Sequence, residues 1–353
     1  MRMKAVVKTR PDAGAELLDV EMPRAGADEV LIQVKATSIC GTDVHIYQWE
    51  PWAQRRIGAS RLPQILGHEM AGEVVEAGSG VRKVKPGDLV SLETHLPCGE
   101  CPQCLRGQMH ICNNLKIFGV DRDGCFAEYV AAPETVVWKN DRSIPLAYAS
   151  VQEPLGNAVY CTLIEPVAGK SVLIFGDGPI ALFAAGVAKV SGATRVVLAG
   201  MEPARLEIAR RMGADEVINV LQTDPVQVIL EGTHGVGVDV VLEMAGAQKA
   251  IEQSFKCVRK GGRVSAFGIP SGPVELDWND AIIFRGVTVY GINGRLMFET
   301  WIMVQNLLAS KRLDISPVVT HQLPLADFEK GFELMIASPK SSGKVVLFPH
   351  GIS

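Results

Sequence analysis

The sequence predicts an α/β protein in which a mainly-β region is followed by a doubly wound parallel sheet, and three observations lead to this prediction. Short runs rich in Val, Ile and Leu, bounded by Gly, Pro and Asp, fill roughly the first 150 residues. Strand and helix patterns alternate from about residue 170, which is typical of βαβ units. A glycine-rich turn directly follows the first strand of that alternation. The length of 353 residues fits two domains.

The predicted elements can be followed in order along the chain. In the first region the strands are "MKAVVKT", "EVLIQVKA", "AGEVVEAG" and "GDLVSLE". In the second region the strands are "KSVLIFG", "TRVVLA", "VDVVLEMAG" and "GGRVSAFG", and two of the helices are "PIALFAAGVAKVSG" and "EPARLEIARRMGA". After about residue 297, "MFETWIMVQNLLAS" and "LADFEKGFELMIAS" predict helices, and "GKVVLF" predicts a last strand.

The composition excludes several classes of protein. A hydrophobic fraction of 47% with 21% charged residues is ordinary for a globular protein, and a net charge of −4 without a basic block argues against nucleic acid as a partner. The N-terminal "MRMKAVVKT" lacks the apolar segment of a signal peptide. The most apolar stretch, 171–190, is interrupted by Asp177, Pro179 and glycines, so it predicts a strand, a turn and a helix instead of a membrane span. We therefore expect a cytoplasmic protein with no membrane partner.

The stretch "FGDGPIA" has the pattern of a phosphate-binding turn. Gly176, Gly178 and Ala181 form G-x-G-x-x-A at the junction of a strand and a helix. The first glycine permits the tight turn, the second lets the backbone approach a pyrophosphate, and the helix N-terminus favours the negative charge. The pattern predicts a Rossmann dinucleotide site. The next strand ends in Gly200, where an acid that binds the adenosine ribose is usual.

Four of the eight cysteines lie close together in the sequence. Cys98, Cys101, Cys104 and Cys112 have the spacing C-x2-C-x2-C-x7-C, which suits a closed tetrahedral zinc site of structural type. In a reducing compartment such clusters are more often metal ligands than disulfides. A C-x-x-C redox pair, an iron–sulfur cluster and His110 in place of one thiolate remain as alternatives.

A second set of candidate ligands is spread over three segments. "SICGTDVHIYQWEPW" supplies Cys40 and "LGHEMAGEVVEAG" supplies His68 and Glu69, while "QEPLGNAVY" supplies Glu153. Each fragment alone is equally typical of a core or turn residue. Together they form a mixed sulfur, nitrogen and oxygen set, which is typical of a catalytic zinc with one position left open.

The motifs together resemble a known family, the zinc-dependent medium-chain dehydrogenases. The resemblance runs nearly end to end and rests on "ICGTDVHIY", "GHEMAGEVVEAG", "CGECPQCLRGQMHIC", "CFAEY", "EPLGNAV", "FGDGPI" and "GINGRLMFETW". The pair "CGTDVHIYQWEPW" and "GRLMFETW" is most similar to the members that act on L-threonine. The resemblance implies a GroES-like catalytic domain at 1–155, completed by 297–353. It also implies a Rossmann domain at 156–296, an active site in the cleft and a homotetramer.

The resemblance also implies roles for individual residues. Cys40, His68 and Glu69 would bind a catalytic zinc, with Glu153 as an alternate ligand or relay group. Thr42 and His45 would relay the proton, and the four clustered cysteines would bind a structural zinc, giving one zinc of each kind per chain. The cofactor would be NAD, bound at Gly176, Gly178, Pro179, Ile180, Gly200, Arg205, Phe267, Gly268, Ile269, Ile292, Asn293 and Arg295.

The activity implied is oxidation of the 3-hydroxyl of L-threonine to 2-amino-3-oxobutanoate, with hydride transfer to NAD. One alternative is an NAD(P)-dependent polyol or secondary-alcohol dehydrogenase of the sorbitol or butanediol type. Another is a non-catalytic dinucleotide-binding structural protein, which would have lost zinc ligands that are present here. His95 is expected to shape the substrate pocket. Gly200 predicts a weaker preference for NAD over NADP, which Gly200→Asp is expected to sharpen.

Overall fold

The structure, a computed structural model, describes residues 1–352. The first part of the chain forms β1 (Arg2–Lys8), β2 (Glu16–Glu21), β3 (Glu29–Ser38), α1 (Gly41–Tyr47), α2 (Pro51–Arg56), β4 (Gln64–Ile65), β5 (Glu69–Ala77), β6 (Leu89–Leu92), β7 (His95–Leu96), α3 (Pro102–Leu105), β8 (Lys116–Ile117), β9 (Tyr129–Pro133), β10 (Val137–Lys139), α4 (Leu146–Ala149) and α5 (Gln152–Leu163). The chain continues through β11 (Ser171–Phe175), α6 (Pro179–Val190), β12 (Arg195–Gly200), α7 (Pro203–Arg211), β13 (Glu216–Asn219), α8 (Pro225–Gly232), β14 (Val238–Glu243), α9 (Gln248–Cys257), β15 (Val258–Ala266), β16 (Thr288–Gly291), α10 (Glu299–Ala309), β17 (Val319–Pro324), α11 (Phe328–Ile336) and β18 (Lys344–Phe348).

The middle of the chain forms the predicted doubly wound sheet. Its strands lie in the order β13-β12-β11-β14-β15-β16, and neighbouring strands are parallel. Counted from β11, this is the 3-2-1-4-5-6 order of a dinucleotide-binding sheet. Alternate residues of β11 face opposite sides, so Val172 and Ile174 join the apolar core that includes α6, while Leu173 and Phe175 join the core that includes α8 and α9. The predicted Rossmann fold is confirmed.

The N-terminal region is mainly β, as predicted, and the C-terminal end returns to it. A seven-stranded sheet is centred on β3 and β5, which pair antiparallel. The last strand, β18, pairs antiparallel with β3 and parallel with β17. The two ends of the chain therefore form one sheet, and residues at the ends of β3, β5 and β18 are brought close together.

Helix α5 is an element that the sequence pattern did not predict. It is buried over most of its length and packs between α6 and α10. A helix enclosed on all sides needs no polar face, so it lacks the amphipathic period by which helices are recognised in sequence. The predicted domain boundary at 155/156 falls inside this helix and stays a prediction. In the described part of the chain, no helix is both long enough and apolar enough to cross a membrane.

Candidate active site

Cys40, His68 and Glu69 are brought together by the pairing of β3 with β5. Ser38 at the end of β3 lies opposite Glu69 at the start of β5, and Cys40 follows as the N-cap of α1. One potential ligand atom from each of the three residues lies within 4.8 Å of the other two. The sequence predicted this grouping from fragments almost thirty residues apart, and the strand register accounts for it.

One of the two carboxylate oxygens of Glu69 is paired, and the other is buried without a partner among the described residues. Its Oε2 accepts a hydrogen bond from Ser38 Oγ and forms an ion pair with Lys344 Nζ at 2.5 Å. Its Oε1 is buried without a hydrogen-bond partner among residues 1–352. Buried polar atoms almost always have a partner, so an unpartnered carboxylate oxygen beside a cysteine and a histidine fits a bound metal ion.

Asp43 contacts the other two candidate ligands, Cys40 and His68, and the sequence motif did not single it out. Its side chain is fully buried, and Oδ2 accepts the backbone N–H of Cys40 at 2.9 Å. Its Oδ1 lies 3.3 Å from His68 Nδ1, the usual place for a carboxylate behind a ligating histidine. Burial disfavours a charge on His68, but Asp43 and Cys40 outweigh it and raise the pKa of His68 well above its ordinary value. The site therefore favours positive charge, as a zinc site would.

Glu153 lies outside this ligand group and is paired with Arg295. Its Oε1 accepts a hydrogen bond from Arg295 Nη1 at 2.6 Å, and the same nitrogen donates to Asn157 Oδ1 at 3.0 Å. Arg295 also forms a two-armed ion pair with Glu93. Burial raises the pKa of Glu153, although Arg295 opposes this. The charges of Glu69 and His68 also act on the Glu153 carboxylate, which is held by a cation of the protein itself.

The same contacts bear on Arg295, which the sequence assigned to the cofactor site. Its side chain is almost fully buried, and Nε, Nη1 and Nη2 all donate to acceptors of the protein. Glu93, which the sequence reasoning missed, accepts two of these bonds and also Trp301 Nε1 at 2.8 Å. No local motif marks Glu93, because its partners Arg295 and Trp301 are about two hundred residues away in the chain.

The four clustered cysteines form a compact thiol site. The distances between sulfurs are 3.6 Å for Cys101 and Cys104, 3.8 Å for Cys101 and Cys112, and 3.5 Å for Cys112 and Cys98. A tetrahedral zinc with Zn–S bonds of ~2.3 Å would place its sulfurs about 3.8 Å apart. Hydrogen bonds from the backbone at Cys104 and Asn113 lower the pKa of Cys101 to about 6. This geometry fits four thiolate ligands around one ion.

Thr42 and His45 both lie on α1, one turn apart and directly after Cys40. Thr42 is half-buried, whereas His45 is exposed. His45 Nδ1 lies 2.8 Å from Glu50 Oε2. The short helix therefore spans the distance from the ligand group to solvent.

The residues expected to bind the cofactor lie mostly at the carboxyl edge of the parallel sheet. Gly176 follows β11 with φ of +113° and approaches the backbone after β14, where a Cβ would come within 3.1 Å of Met244. Gly178 caps α6, and a Cβ there would meet open space. The other members end β12, lie in α7, follow β15 and β16 or begin α6, and they are Pro179, Ile180, Gly200, Arg205, Phe267, Gly268, Ile269, Ile292 and Asn293. This edge is where dinucleotides bind in such sheets.

Comparison with known proteins finds similarity in both halves of the chain. Residues 26–142 match the alcohol dehydrogenase GroES-like domain, and residues 179–310 match the zinc-binding dehydrogenase family. L-threonine 3-dehydrogenase of Pyrococcus furiosus is 53% identical over 346 residues, covering 98% of both chains.

Solved structures of similar fold include a zinc-binding dehydrogenase of Sinorhizobium meliloti bound to NADP. It has a TM-score of 0.88 and 31% identity, and covers 99% of this chain and 100% of that one. 2R,3R-butanediol dehydrogenase of Bacillus subtilis has a TM-score of 0.88 and 29% identity, and covers 98% of this chain and 99% of that one. With both halves matched and a relative of this identity over nearly the whole length, the chain belongs to the zinc-dependent medium-chain dehydrogenases.

Proposed function

We propose that this protein oxidises the 3-hydroxyl of L-threonine to 2-amino-3-oxobutanoate and transfers the hydride to NAD. The observation that carries the proposal is the 53% identity to an L-threonine 3-dehydrogenase over 98% of both chains. Identity to the butanediol dehydrogenase is 29% over a similar length, so the secondary-alcohol alternative is not favoured. A non-catalytic role is disfavoured because Cys40, His68 and Glu69 are all present and grouped.

Each chain would hold two zinc ions, one at Cys40, His68 and Glu69 and one at the four clustered cysteines. Both donor sets fit the metal by atom type and by spacing. When bound, zinc at the first site lowers the pKa of a hydroxyl group, and the nicotinamide accepts a hydride. The second set is closed by four sulfurs and would fix the loop that carries them.

The protein's own residues would remove the hydroxyl proton. Thr42 lies two residues after Cys40, and His45 lies one turn further along the same face of α1. The side chain of His45 is 52% exposed, so a proton that reaches it can pass to water. Glu50 contacts Nδ1 of the ring, which leaves Nε2 to accept the proton. A positioned relay of this kind contributes a factor of roughly 10² to 10⁴ in rate.

The substrate assignment can be tested by following NADH formation with L-threonine and with a panel of diols and polyols at equal zinc loading. The highest kcat/KM is expected with L-threonine. His45→Asn should lower turnover and move the pH–rate profile at unchanged zinc content, whereas His321→Asn, in β17, should change neither. A higher kcat/KM with sorbitol or 2,3-butanediol would overturn the assignment.

We also propose that the chain assembles into a homotetramer and acts in the cytoplasm. Support for assembly comes from β16, which ends the parallel sheet, since an open strand edge is a template for pairing with another chain. Apolar side chains exposed on this strand or in the segment that precedes it are Trp278, Ile283, Phe284 and Val289.

A further inference from the structure

The side chain of Asp177 crosses from the glycine-rich turn to the end of the neighbouring strand. Asp177 lies between Gly176 and Gly178, directly after β11. Its Oδ2 accepts two consecutive backbone N–H groups that follow β12, from Met201 at 2.7 Å and from Glu202 at 2.8 Å. Asp177 is 9% exposed. A carboxylate is therefore held at the end of β12, although the residue that carries it belongs to the turn after β11.

This position explains why β12 ends in glycine. A Cβ added to Gly200 would lie 2.7 Å from both Cβ and Oδ2 of Asp177, closer than real Cβ contacts. Gly200 is not in the left-handed region of the backbone, so it is needed for space and not for conformation. Position 200 therefore has no room for a side chain while Asp177 is present. The carboxylate of Asp177 lies where other dinucleotide-binding sheets have an acid at the end of this strand.

Asp177 also occupies the backbone N–H donors that a 2′-phosphate would need. Two successive N–H groups after a strand form a small anion-binding concavity, and here Asp177 already fills it. Arg205 is the nearby cation, but its Nε donates to Ser342 O at 2.8 Å and its Nη1 lies 4.0 Å from Asp177 Oδ1. Glu202 adds a second carboxylate, so a phosphate at this place would meet two negative charges and one positive charge that is already held.

The second oxygen of Asp177 remains available. Within residues 1–352, Oδ1 accepts no hydrogen bond, and Arg205 stays just beyond hydrogen-bond reach. From this we infer that Asp177 selects NAD over NADP. Its Oδ1 accepts a hydrogen bond from a hydroxyl of the adenosine ribose, and the negative charge of the carboxylate repels a 2′-phosphate. The inference rests on the proposed NAD-dependent function and assigns its cofactor specificity to a residue of the glycine-rich turn.

The structure reverses one expectation from the sequence. Gly200→Asp was expected to sharpen the preference for NAD, but in the presence of Asp177 it would crowd two carboxylates into one place. We expect Gly200→Asp alone to weaken binding of both NADH and NADPH. In Asp177→Ala the space is free, so the double variant Asp177→Ala/Gly200→Asp should regain the preference for NADH.

The test measures dissociation constants for NADH and NADPH by fluorescence, without substrate. Asp177→Ala should lower the ratio of the NADPH constant to the NADH constant roughly tenfold or more, as expected for the loss of a hydrogen bond to a charged group. Asp177→Asn keeps the size without the charge and should also lower the ratio. Glu134→Ala is the matched control, because Glu134 likewise accepts two consecutive backbone N–H groups, from Arg82 and Lys83, but far along the chain from this turn.

A second measurement isolates the 2′-phosphate. Calorimetry with 5′-AMP and adenosine 2′,5′-bisphosphate should show that Asp177→Ala strengthens binding of the bisphosphate but not of 5′-AMP. An unchanged ratio in both Asp177 variants, with L-threonine oxidation intact in the wild type, overturns the inference alone. A changed ratio in a protein that does not oxidise L-threonine supports the inference and overturns the proposed substrate.

Discussion

Every donor nitrogen of Arg295 forms a hydrogen bond with a buried side chain. Glu93, Glu153 and Asn157 receive its hydrogen bonds, and all of them are buried. Burial alone would raise the pKa of Glu93, but Arg295 and His95 outweigh it and lower that pKa. One guanidinium thus forms ion pairs with two buried carboxylates, those of Glu93 and Glu153.

Arg295→Met is therefore expected to reduce stability more than cofactor binding. Removing one partner of a buried ion pair costs about 3–5 kcal/mol, because the remaining charge is left without compensation. The urea midpoint should fall clearly, while the dissociation constant for NADH changes less than about threefold, or ~0.7 kcal/mol. Arg295→Lys should recover only part of the loss, since an ammonium cannot match the two-armed pair. A large loss of NADH affinity at unchanged stability would restore the sequence-based assignment of Arg295 to the cofactor site.

His95 gives the protein a pH dependence whose sign follows from its burial. Burial, together with Arg295, lowers the pKa of His95 to about 4, whereas an unfolded histidine titrates near ~6.5. The unfolded chain thus binds the proton first, so the stabilisation is complete above about pH 6.5 and is lost as the pH falls toward 4. The shift corresponds to up to about 3 kcal/mol.

The check is urea unfolding of the wild type and His95→Gln between pH 7 and pH 4. As the pH falls, the free energy of unfolding of the wild type should decrease by about 3 kcal/mol more than that of the variant. Loss of zinc in acid affects both proteins and cancels in the comparison. A difference that stays constant over this range would contradict a neutral, buried His95.

At the residue scale, the sequence predicted what local spacing encodes and missed what packing between distant segments decides. Cys40, His68 and Glu69 were found because each lies in a short motif, and the strand register then groups them. The relation between Gly200 and Asp177 was missed, because it depends on the distance between a turn and the end of the adjacent strand. Sequence spacing alone carries no information on that contact.

Among the elements, the cysteine loop has little regular structure and a small apolar core, so its fold depends on what its side chains bind. The segment from Cys98 to Cys112 contains only the short α3 and a single 3-10 turn, and its apolar cluster consists mainly of the cysteines themselves. Such a loop has little core of its own. A metal bound by four thiolates can supply the missing stabilisation.

Cys98→Ser should therefore lower the melting temperature or impair assembly, whereas Cys40→Ser should abolish turnover and leave the fold intact. Elemental analysis should give two zinc ions per chain in the wild type and one in each variant, because the two donor sets share no residue. Cys257→Ser is the control, since this buried cysteine belongs to neither set, and it should retain two. A fully loaded wild type with one zinc or fewer would refute the two-site arrangement.

The elements found from sequence are those with a clear period or a run of β-branched residues. The strands β11, β12 and β14 are mostly buried on both faces and consist mainly of apolar residues. The short edge strand β16 was not predicted, because three of its four residues are exposed and its pattern resembles a loop. Helix α5 was missed for the opposite reason, since it is buried all round.

On the scale of the whole molecule, the return of β17 and β18 to the N-terminal sheet determines where the site forms. Lys344 of β18 reaches Glu69 at 2.5 Å, and Ser342 just before that strand accepts the hydrogen bond of Arg205 from α7. The C-terminal segment thus contacts Glu69 of the candidate metal site on one side and Arg205 of the candidate cofactor site on the other. The sequence motifs identified each side, but the connection between them depends on topology.

Assembly is the last property that the whole molecule should determine, and the two edges of the parallel sheet differ in this respect. At one edge no residue of β13 is exposed, and Glu216 is paired with Arg195 of β12. At the other edge β16 exposes Val289, with Phe284 exposed nearby. A strand edge flanked by apolar side chains is suited to pairing across a twofold axis, so we expect β16 to lie at a subunit contact.

Val289→Lys should then dissociate the oligomer, because a charged side chain on an edge strand blocks pairing and because each buried apolar side chain contributes about 1.5–3 kcal/mol. In a symmetric contact the substitution occurs twice, which doubles its effect. Light scattering coupled to size exclusion should show a species of lower mass, while Ile302→Lys, an exposed apolar position on α10, leaves the mass unchanged. If Val289→Lys keeps the wild-type mass and Ile302→Lys does not, the subunit contact lies on α10. The edge of β16 would then stay unpaired in the assembled protein.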